Sequence, residues 1–382
     1  MTTETADVAI VGGGLHGLTL AWELARQGWR TFVFERRHYP FHRVCGEYLS
    51  AEVAPLLRKM GVDHALAPVS VNRLEVSAPS GNMVCGALPL GGLGVSRYRL
   101  DATLAQAAGA MGAHIYTGVK VMDLERAGEQ WKIHTAKGIF YSRYVVGAFG
   151  KRSNMDRRLQ RRFLQKKSPF VGIKHHIRAD IASDTIALHN FQGGYAGVSR
   201  IEDGRSCLCY LVRRSVLQEA GGIEALEQSV LRRNPHLDAL WKTVEFEWDK
   251  PLVINEISFS KKPLYEGGVW CGGDAAGMIA PLAGNGMAMA MNGALMHARS
   301  LHGLIGGTQT AVAARRAYQQ QWRSHFGKRL WLGRRIQHYF GDVQATERLV
   351  RLFQHMPRQL GRLVAQTHGK PEHTQRLLEA LP

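Results

Sequence analysis

Gly12, Gly14 and Gly17 sit in the run Asp7-Val-Ala-Ile-Val-Gly-Gly-Gly-Leu-His-Gly17, where an apolar strand signal passes straight into a helix signal. The spacing is G-x-G-x-x-G, and a second apolar strand, Arg30 to Phe34, delivers the carboxylate of Glu35 about 20 residues further on. Residue types in this order suit dinucleotide binding. Gly12 permits a tight turn, Gly14 lets backbone approach a pyrophosphate, and Gly17 lets helix and strand pack closely. The free N–H groups and positive dipole end of the helix then face the phosphates. Glu35 is placed to accept hydrogen bonds from ribose hydroxyls. A second set of candidate groups is Cys45, Glu47 and the run Lys174-His175-His176. On a strand, alternation puts Lys174 and His176 on one face and His175 on the other. No third ligand accompanies the histidines, so no metal site is expected.

The elements that must position these groups follow from periodicity. The first βαβ half is read as strand Val8 to Val11, helix Leu18 to Gln27 and strand Arg30 to Phe34. A helix is expected over 51–60, a hairpin over 71–87, an apolar helix over 100–111 and further strands up to Ala148. From Ser168 the pattern turns to strands, at 170–177, 185–191, 195–201 and 205–211. A helical stretch over 216–232 and a strand over 254–260 follow. A nucleotide-type strand, loop and helix then resume from Gly268. A basic helical tail runs from Ala311, with Trp322, Phe326, Trp331, Tyr339 and Phe353 as apolar anchors. A chain of 382 residues exceeds one ordinary core. The expected division is 1–167 with 261–310 (cofactor domain, part of 68–99 contributing to the other), 168–260 (substrate domain) and 311–382 (tail).

Five cysteines with no C-x-x-C pattern give neither a zinc site nor a disulfide framework, which points to a reducing cytosol. No basic, apolar signal segment precedes the glycine turn. The formal charge of +18 is concentrated in Lys151–Lys167 and in the tail. It reads as a solvated surface, or as a docking face for an acidic carrier protein or an anionic membrane surface. No nucleic-acid module accompanies it.

The stretch Gly272-Gly-Asp-Ala-Ala-Gly-Met-Ile-Ala-Pro-Leu-Ala-Gly-Asn-Gly-Met287 resembles the Gly-Asp segment of the FAD-dependent oxidoreductase superfamily with the para-hydroxybenzoate hydroxylase fold. In that family the aspartate binds the FAD ribityl chain, and the Pro-x-x-Gly-x-Gly loop leads into a helix facing the flavin. The resemblance implies that Asp274 accepts from a ribityl hydroxyl and that Gly284, Gly286 and Met287 border the flavin. His42-Arg-Val-Cys-Gly-Glu-Tyr-Leu-Ser50 is similar to the Pro-x-x-Cys-Gly-Gly-x-Leu-Ser segment of geranylgeranyl reductases, and Arg97-Tyr-Arg-Leu-Asp101 to their Arg-x-x-Phe-Asp. The implied fold is α/β: an FAD-binding Rossmann-like (glutathione reductase-type) domain, an inserted β-sheet substrate domain and a C-terminal helical tail. The implied FAD contacts are Gly12, Gly14, Leu15, Gly17, Glu35, Arg36, Gly46, Arg97, Val121, Asp274, Gly284, Gly286 and Met287.

Two departures bear on chemistry. Phe149 stands where the family has an aspartate that helps bind FAD and, in hydroxylases, NAD(P)H; the nicotinamide site is therefore open. Glu47 stands where the reductases have glycine. Cys45 is read as a proton donor beside the flavin or a packing residue. Glu47 is read as a general acid raised in pKa by burial, or as the partner of Arg43 or another arginine. The expected enzyme reduces a C=C bond of a hydrophobic small molecule by hydride transfer from flavin N5, with NAD(P)H as reductant. The alternative is a monooxygenase acting on an aromatic or polyketide-type substrate, free or carrier-bound, through a C4a-hydroperoxide. A Trp-x-Trp-x-Ile-Pro halogenase segment is absent from the sequence.

Overall fold

The computed structural model describes residues 4–165, 168–337 and 339–382. Two sheets organise the chain. The first has Thr5–Val11 at its centre, parallel to Thr31–Glu35 on one side and to Gly138–Gly147 on the other. His114–Thr117 extends one edge and Val269–Cys271 the other, both parallel. A side meander, Val121–Ala127 and Gln130–Thr135, joins Gly138–Gly147. The central strands are buried on both faces, which explains their unbroken apolar runs. Helices Leu15–Arg26, Arg97–Ala110 and Gly286–Ile305 share one apolar core on this sheet. The dinucleotide-type helix thus starts at Leu15, with Gly14 as its cap, rather than at Leu18.

The second sheet runs in the order 245–246, 170–178, 206–213, 194–200, 185–191, 69–77, 83–94, 48–50. Strands from residues 48–94 therefore complete the sheet begun by residues 170–213, through a parallel pairing of Thr185–Phe191 with Val69–Ser77. Two expected elements break. The stretch 216–232 divides into Arg214–Glu219 and Ile223–Ser229 because Gly221 and Gly222 take φ +87° and +137° between them. The strand expected over 254–260 is only Leu252–Ile254, since Glu256 turns left-handed at φ +63°.

The tail is helical: Ala311–Gln337, Val343–His355, Pro357–Thr367 and Pro371–Glu379. Ala314, Tyr318, Trp322, Phe326 and Leu330 recur every four residues and are buried in the core on the first sheet. Leu377, Leu378 and Leu381 return the chain end to that core. Trp331 and Tyr339, expected as anchors, are 51% and 53% exposed. The basic run is not wholly surface either. Arg161 is buried, ion-paired to Asp156 and Glu266 and donating to the Ala275 and Pro263 carbonyls. Lys166 and Lys167 lie outside the described residues. Among the described residues, no helix is long and apolar enough to cross a membrane.

Candidate functional site

A cavity of about 920 Å³ runs from the glycine turn, past Asp274, into a space between the second sheet and the tail helices. At its first end, Gly12 has φ +113°, and a Cβ there would lie 2.4 Å from the Ala148 carbonyl oxygen. A Cβ on Gly17 would lie 2.1 Å from the Gly12 oxygen, so the helix rests directly on the turn. A Cβ on Gly14 would meet only Arg97, at 3.8 Å, which leaves room for a ligand against the backbone. Glu35 is buried and already engaged. It accepts from the Gly13 and Arg37 N–H groups, both at 3.1 Å, and from Arg43 at 3.2 Å. Leu15, Glu35, Arg36 and Val121 line this end, whereas Gly17 does not.

Further in, Arg97 opens helix Arg97–Ala110 and grips Asp101 through two bonds of 2.7 and 2.8 Å. Arg43 donates to the same Asp101 at 2.8 Å, so the expected Arg43–Glu47 pair does not form. Asp274 stands in a tight turn after strand Val269–Cys271 and lines the cavity. Among the described residues no group donates a hydrogen bond to its carboxylate. Burial pushes its pKa up, against the nearby charges of Lys262, Arg97, Lys151 and Arg43. Lys262 ties the turn down, donating to the Lys151 and Asp274 carbonyls at 2.7 and 2.8 Å. The Lys151 ammonium is buried without a hydrogen-bond partner among the described residues. Burial pulls its pKa to about 8. Gly284 takes φ +62°, and Gly286 and Met287 begin helix Gly286–Ile305 at the cavity wall. Asn285 between them is held by Glu52 at 2.6 Å and by Arg329 at 3.3 Å.

An open Gly14, cationic surroundings, an undonated Asp274 and a helix N-terminus form a donor and acceptor set that fits FAD. Phe149, in place of the family aspartate, packs its ring where a Cβ on Gly147 would come within 2.3 Å.

Cys45, Gly46 and Glu47 line the inner wall. Glu47 is fully buried with φ +54°. Its carboxylate meets Lys174 at 2.5 Å and His176 at 2.7 Å, and accepts the Arg97 N–H at 2.8 Å. Burial by itself would raise its pKa, but Lys174 and His176 hold it at about 2. The carboxyl therefore lacks the raised pKa expected of a general acid. It is instead a clamp joining three segments. His175, on the opposite strand face, meets Glu227 at 2.9 Å, as the alternation requires. Burial raises the pKa of the Cys45 thiol, so it stays protonated at neutral pH. Among the described residues no three His, Cys, Asp or Glu side chains gather as a metal site requires.

The far lobe of the cavity is apolar. Leu74, Val76, Leu188, Tyr195 and Leu211 form its floor on the second sheet. Thr346, Leu349, Val350 and Phe353 from one tail helix, and Leu360, Leu363, Val364 and Thr367 from the next, form its roof. Sequence reasoning missed this roof. Its signal was the i, i+3, i+4, i+7 spacing of both sets, hidden among the arginines on their outer faces. His368, which follows the second roof helix, also lines the cavity and was likewise missed.

A family model described as FAD binding domain matches residues 5–328. Conditioned medium factor receptor 1 of Dictyostelium discoideum is 26% identical over 84% of this chain and 68% of its own length. Tryptophan 2-halogenase of Chondromyces crocatus is 23% identical over 85% of this chain and 66% of its own length. The chain thus spans about two thirds of these relatives. Among solved structures, the flavin-dependent brominase Bmp2 superposes with a TM-score of 0.78 at 18% identity, covering 98% of both chains. PqsL of Pseudomonas aeruginosa, described as a probable FAD-dependent monooxygenase, has a TM-score of 0.73 at 19% identity over 90% of this chain and 99% of its own. These structural likenesses show the fold. They do not distinguish the geranylgeranyl reductase-like branch, and they do not show C=C reduction.

Proposed function

The chain belongs to the FAD binding domain family, and we propose that within it the protein is an FAD-dependent monooxygenase of an apolar substrate. The observation that carries the reading is one continuous cavity joining the dinucleotide turn to an apolar chamber, with the Pro281–Gly284 loop where the two meet. FAD, when bound, supplies the electron transfer and the activation of oxygen. The protein's own residues do the rest. The turn at Gly12–Gly17 and the first N–H groups of helix Leu15–Arg26 hold the pyrophosphate, with Glu35, Arg36 and Val121 at the adenosine end. Asp274 accepts from the ribityl hydroxyls. Arg97, Gly46, Gly284, Gly286 and Met287 border the flavin, and the N-terminus of helix Gly286–Ile305 favours negative charge on its pyrimidine side. The roof helices exclude water from the reacting face.

NAD(P)H is the proposed reductant, docking transiently because the sequence has a single G-x-G-x-x-G turn and Phe149 occupies the family's aspartate position. The exposed arginines Arg348, Arg351, Arg358 and Arg362 on the outside of the roof suit an acidic carrier protein or an anionic surface. The test is cofactor content and oxygen chemistry on the purified protein. Stoichiometric FAD released on denaturation, together with NAD(P)H-dependent oxygen consumption that rises with an added apolar phenol, is expected. A protein that takes up no FAD contradicts the reading.

A further inference from the structure

The chamber contributed by residues 69–94, 185–211 and 336–368 has no Asp, Glu, Lys or Arg in its lining. Its threonine hydroxyls and the Tyr210 hydroxyl are already hydrogen-bonded, and the two polar side-chain atoms in it left without a partner among the described residues, on His368 and Tyr195, both lie by the Pro281–Gly284 loop. His368 Nε2 is buried and has no partner among the described residues. It lies 3.8 Å from where a Cβ on Gly284 would be. Its other nitrogen assigns the tautomer: Nδ1 is 3.0 Å from the Val364 carbonyl, which can only accept, and 3.1 Å from Thr367 Oγ1, whose own hydrogen goes to that carbonyl at 2.8 Å, so Nδ1 carries the hydrogen. Nε2 is thereby a bare acceptor. The imidazole is oriented edge to face with the Tyr48 ring, centroids 6.0 Å apart. The Tyr195 hydroxyl, also buried and without a hydrogen-bond partner among the described residues, rises from the sheet floor next to Phe340. The Leu282 backbone N–H approaches its oxygen as a donor, so what the hydroxyl lacks is an acceptor for its own hydrogen.

A buried, unpaired acceptor is costly unless something donates to it. Here the missing donor would sit at the mouth between the cofactor space and the chamber. We propose that His368 Nε2 accepts a hydrogen bond from a hydroxyl on the substrate, assisted by Tyr195. The substrate class is then an amphipathic molecule with a hydroxyl-bearing head at Gly284 and a long hydrocarbon tail in the chamber. This rests on the reading that the chamber is the substrate site of an FAD enzyme.

The test uses the full-length holoenzyme and three probes: 4-octylphenol, octylbenzene and phenol. Binding is measured directly, by calorimetry and by the change in the flavin absorbance spectrum. Wild type is expected to prefer 4-octylphenol over octylbenzene by about 10- to 100-fold, the worth of satisfying a buried acceptor. It is expected to bind phenol more weakly than 4-octylphenol by at least about 100-fold, because the tail is buried. In His368→Leu the preference for the hydroxyl falls to within about threefold while octylbenzene binding holds or improves. A purely structural role for His368 would weaken both octyl ligands alike. His368→Gln, which keeps hydrogen-bonding capacity, retains part of the preference, and Tyr195→Phe reduces it less than His368→Leu. The proposal is overturned if wild type binds none of the probes, if it does not discriminate the octyl pair, or if His368→Leu keeps the preference. Protein lacking FAD would sink the functional reading. FAD-loaded protein that prefers 4-octylphenol yet consumes no oxygen would sink monooxygenation and leave the role of His368 standing.

Discussion

Replacing Glu47 with Gln should destabilise the protein strongly, because the carboxylate is the counter-ion of a fully buried lysine. Glu47, Lys174 and His176 are all inaccessible to solvent. In Glu47→Gln the Lys174 ammonium keeps the Arg43 carbonyl, 3.1 Å away, but no opposing charge. Removing one partner of a buried ion pair costs about 3–5 kcal/mol. The acid–base properties give a similar figure. The carboxyl is held at about 2 against an ordinary 4.5, and at 1.36 kcal/mol per pKa unit that displacement corresponds to about 3 kcal/mol. Since the folded-state pKa lies below the unfolded one, this stabilisation is complete above pH 4.5 and is lost as the pH falls toward 2. At about 2–4 °C per kcal/mol, the melting temperature at pH 7 should drop by about 6–12 °C. Urea unfolding and thermal melts on wild type, Glu47→Gln, Lys174→Met and the double variant measure this. The double variant should lose less than the sum of the singles by more than about 1 kcal/mol. At pH 3 the gap between wild type and Glu47→Gln should narrow. A Glu47→Gln protein within about 0.5 kcal/mol of wild type at pH 7 would refute the clamp. If that variant also lost turnover, the acid–base role expected from sequence would return.

The glycine turn yields a paired test. Gly17→Ala should fail to fold or to hold cofactor, since its Cβ would lie 2.1 Å from the Gly12 oxygen, whereas Gly14→Ala should fold normally by circular dichroism and lose FAD affinity by about tenfold or more. Asp274→Ala should likewise release FAD without lowering the stability of the FAD-free protein, because its carboxylate has no protein donor among the described residues; a melt of the apoprotein checks this. Wild-type stability should fall as the pH drops from 6.5 toward 4. His16 is buried and desolvation holds it at about 4, so the unfolded chain takes up a proton that the folded one refuses; unfolding measured across that range would show no slope if the reasoning is wrong. Phe353→Ala should open the roof and weaken 4-octylphenol binding while leaving FAD content unchanged.

The parts legible in sequence were those where geometry restricts residue type. Gly12 and Gly17 could be assigned because a turn and a close crossing exclude a Cβ. Lys174 and His176 could be put on one face because strand period is strict. Their partner Glu47 could not be found, since it lies 127 and 129 positions away and only the fold brings it there. The sequence leaves Glu47 open between a buried general acid and an ion-pair partner of an arginine; the fold makes it an ion-pair partner, of Lys174 and His176 instead, and the sign of its pKa shift depends on those two cations. Arg161 looked like one more surface arginine, and what distinguishes it is a set of acceptors from residues 156, 263, 266 and 275. The roof helices were amphipathic in sequence, but nothing local says which surface an apolar face will cover. Trp331 and Tyr339 illustrate the converse, aromatic residues at helical spacing that the fold leaves exposed.

The most direct test of monooxygenation is the mass of the product. Purified holoenzyme, reduced photochemically, would be exposed to 18O2 with 4-octylphenol in a buffer containing bromide, and the extract weighed by mass spectrometry. The account predicts a product carrying one atom of 18O. A brominated product without 18O, or one gaining only two hydrogens, would contradict it.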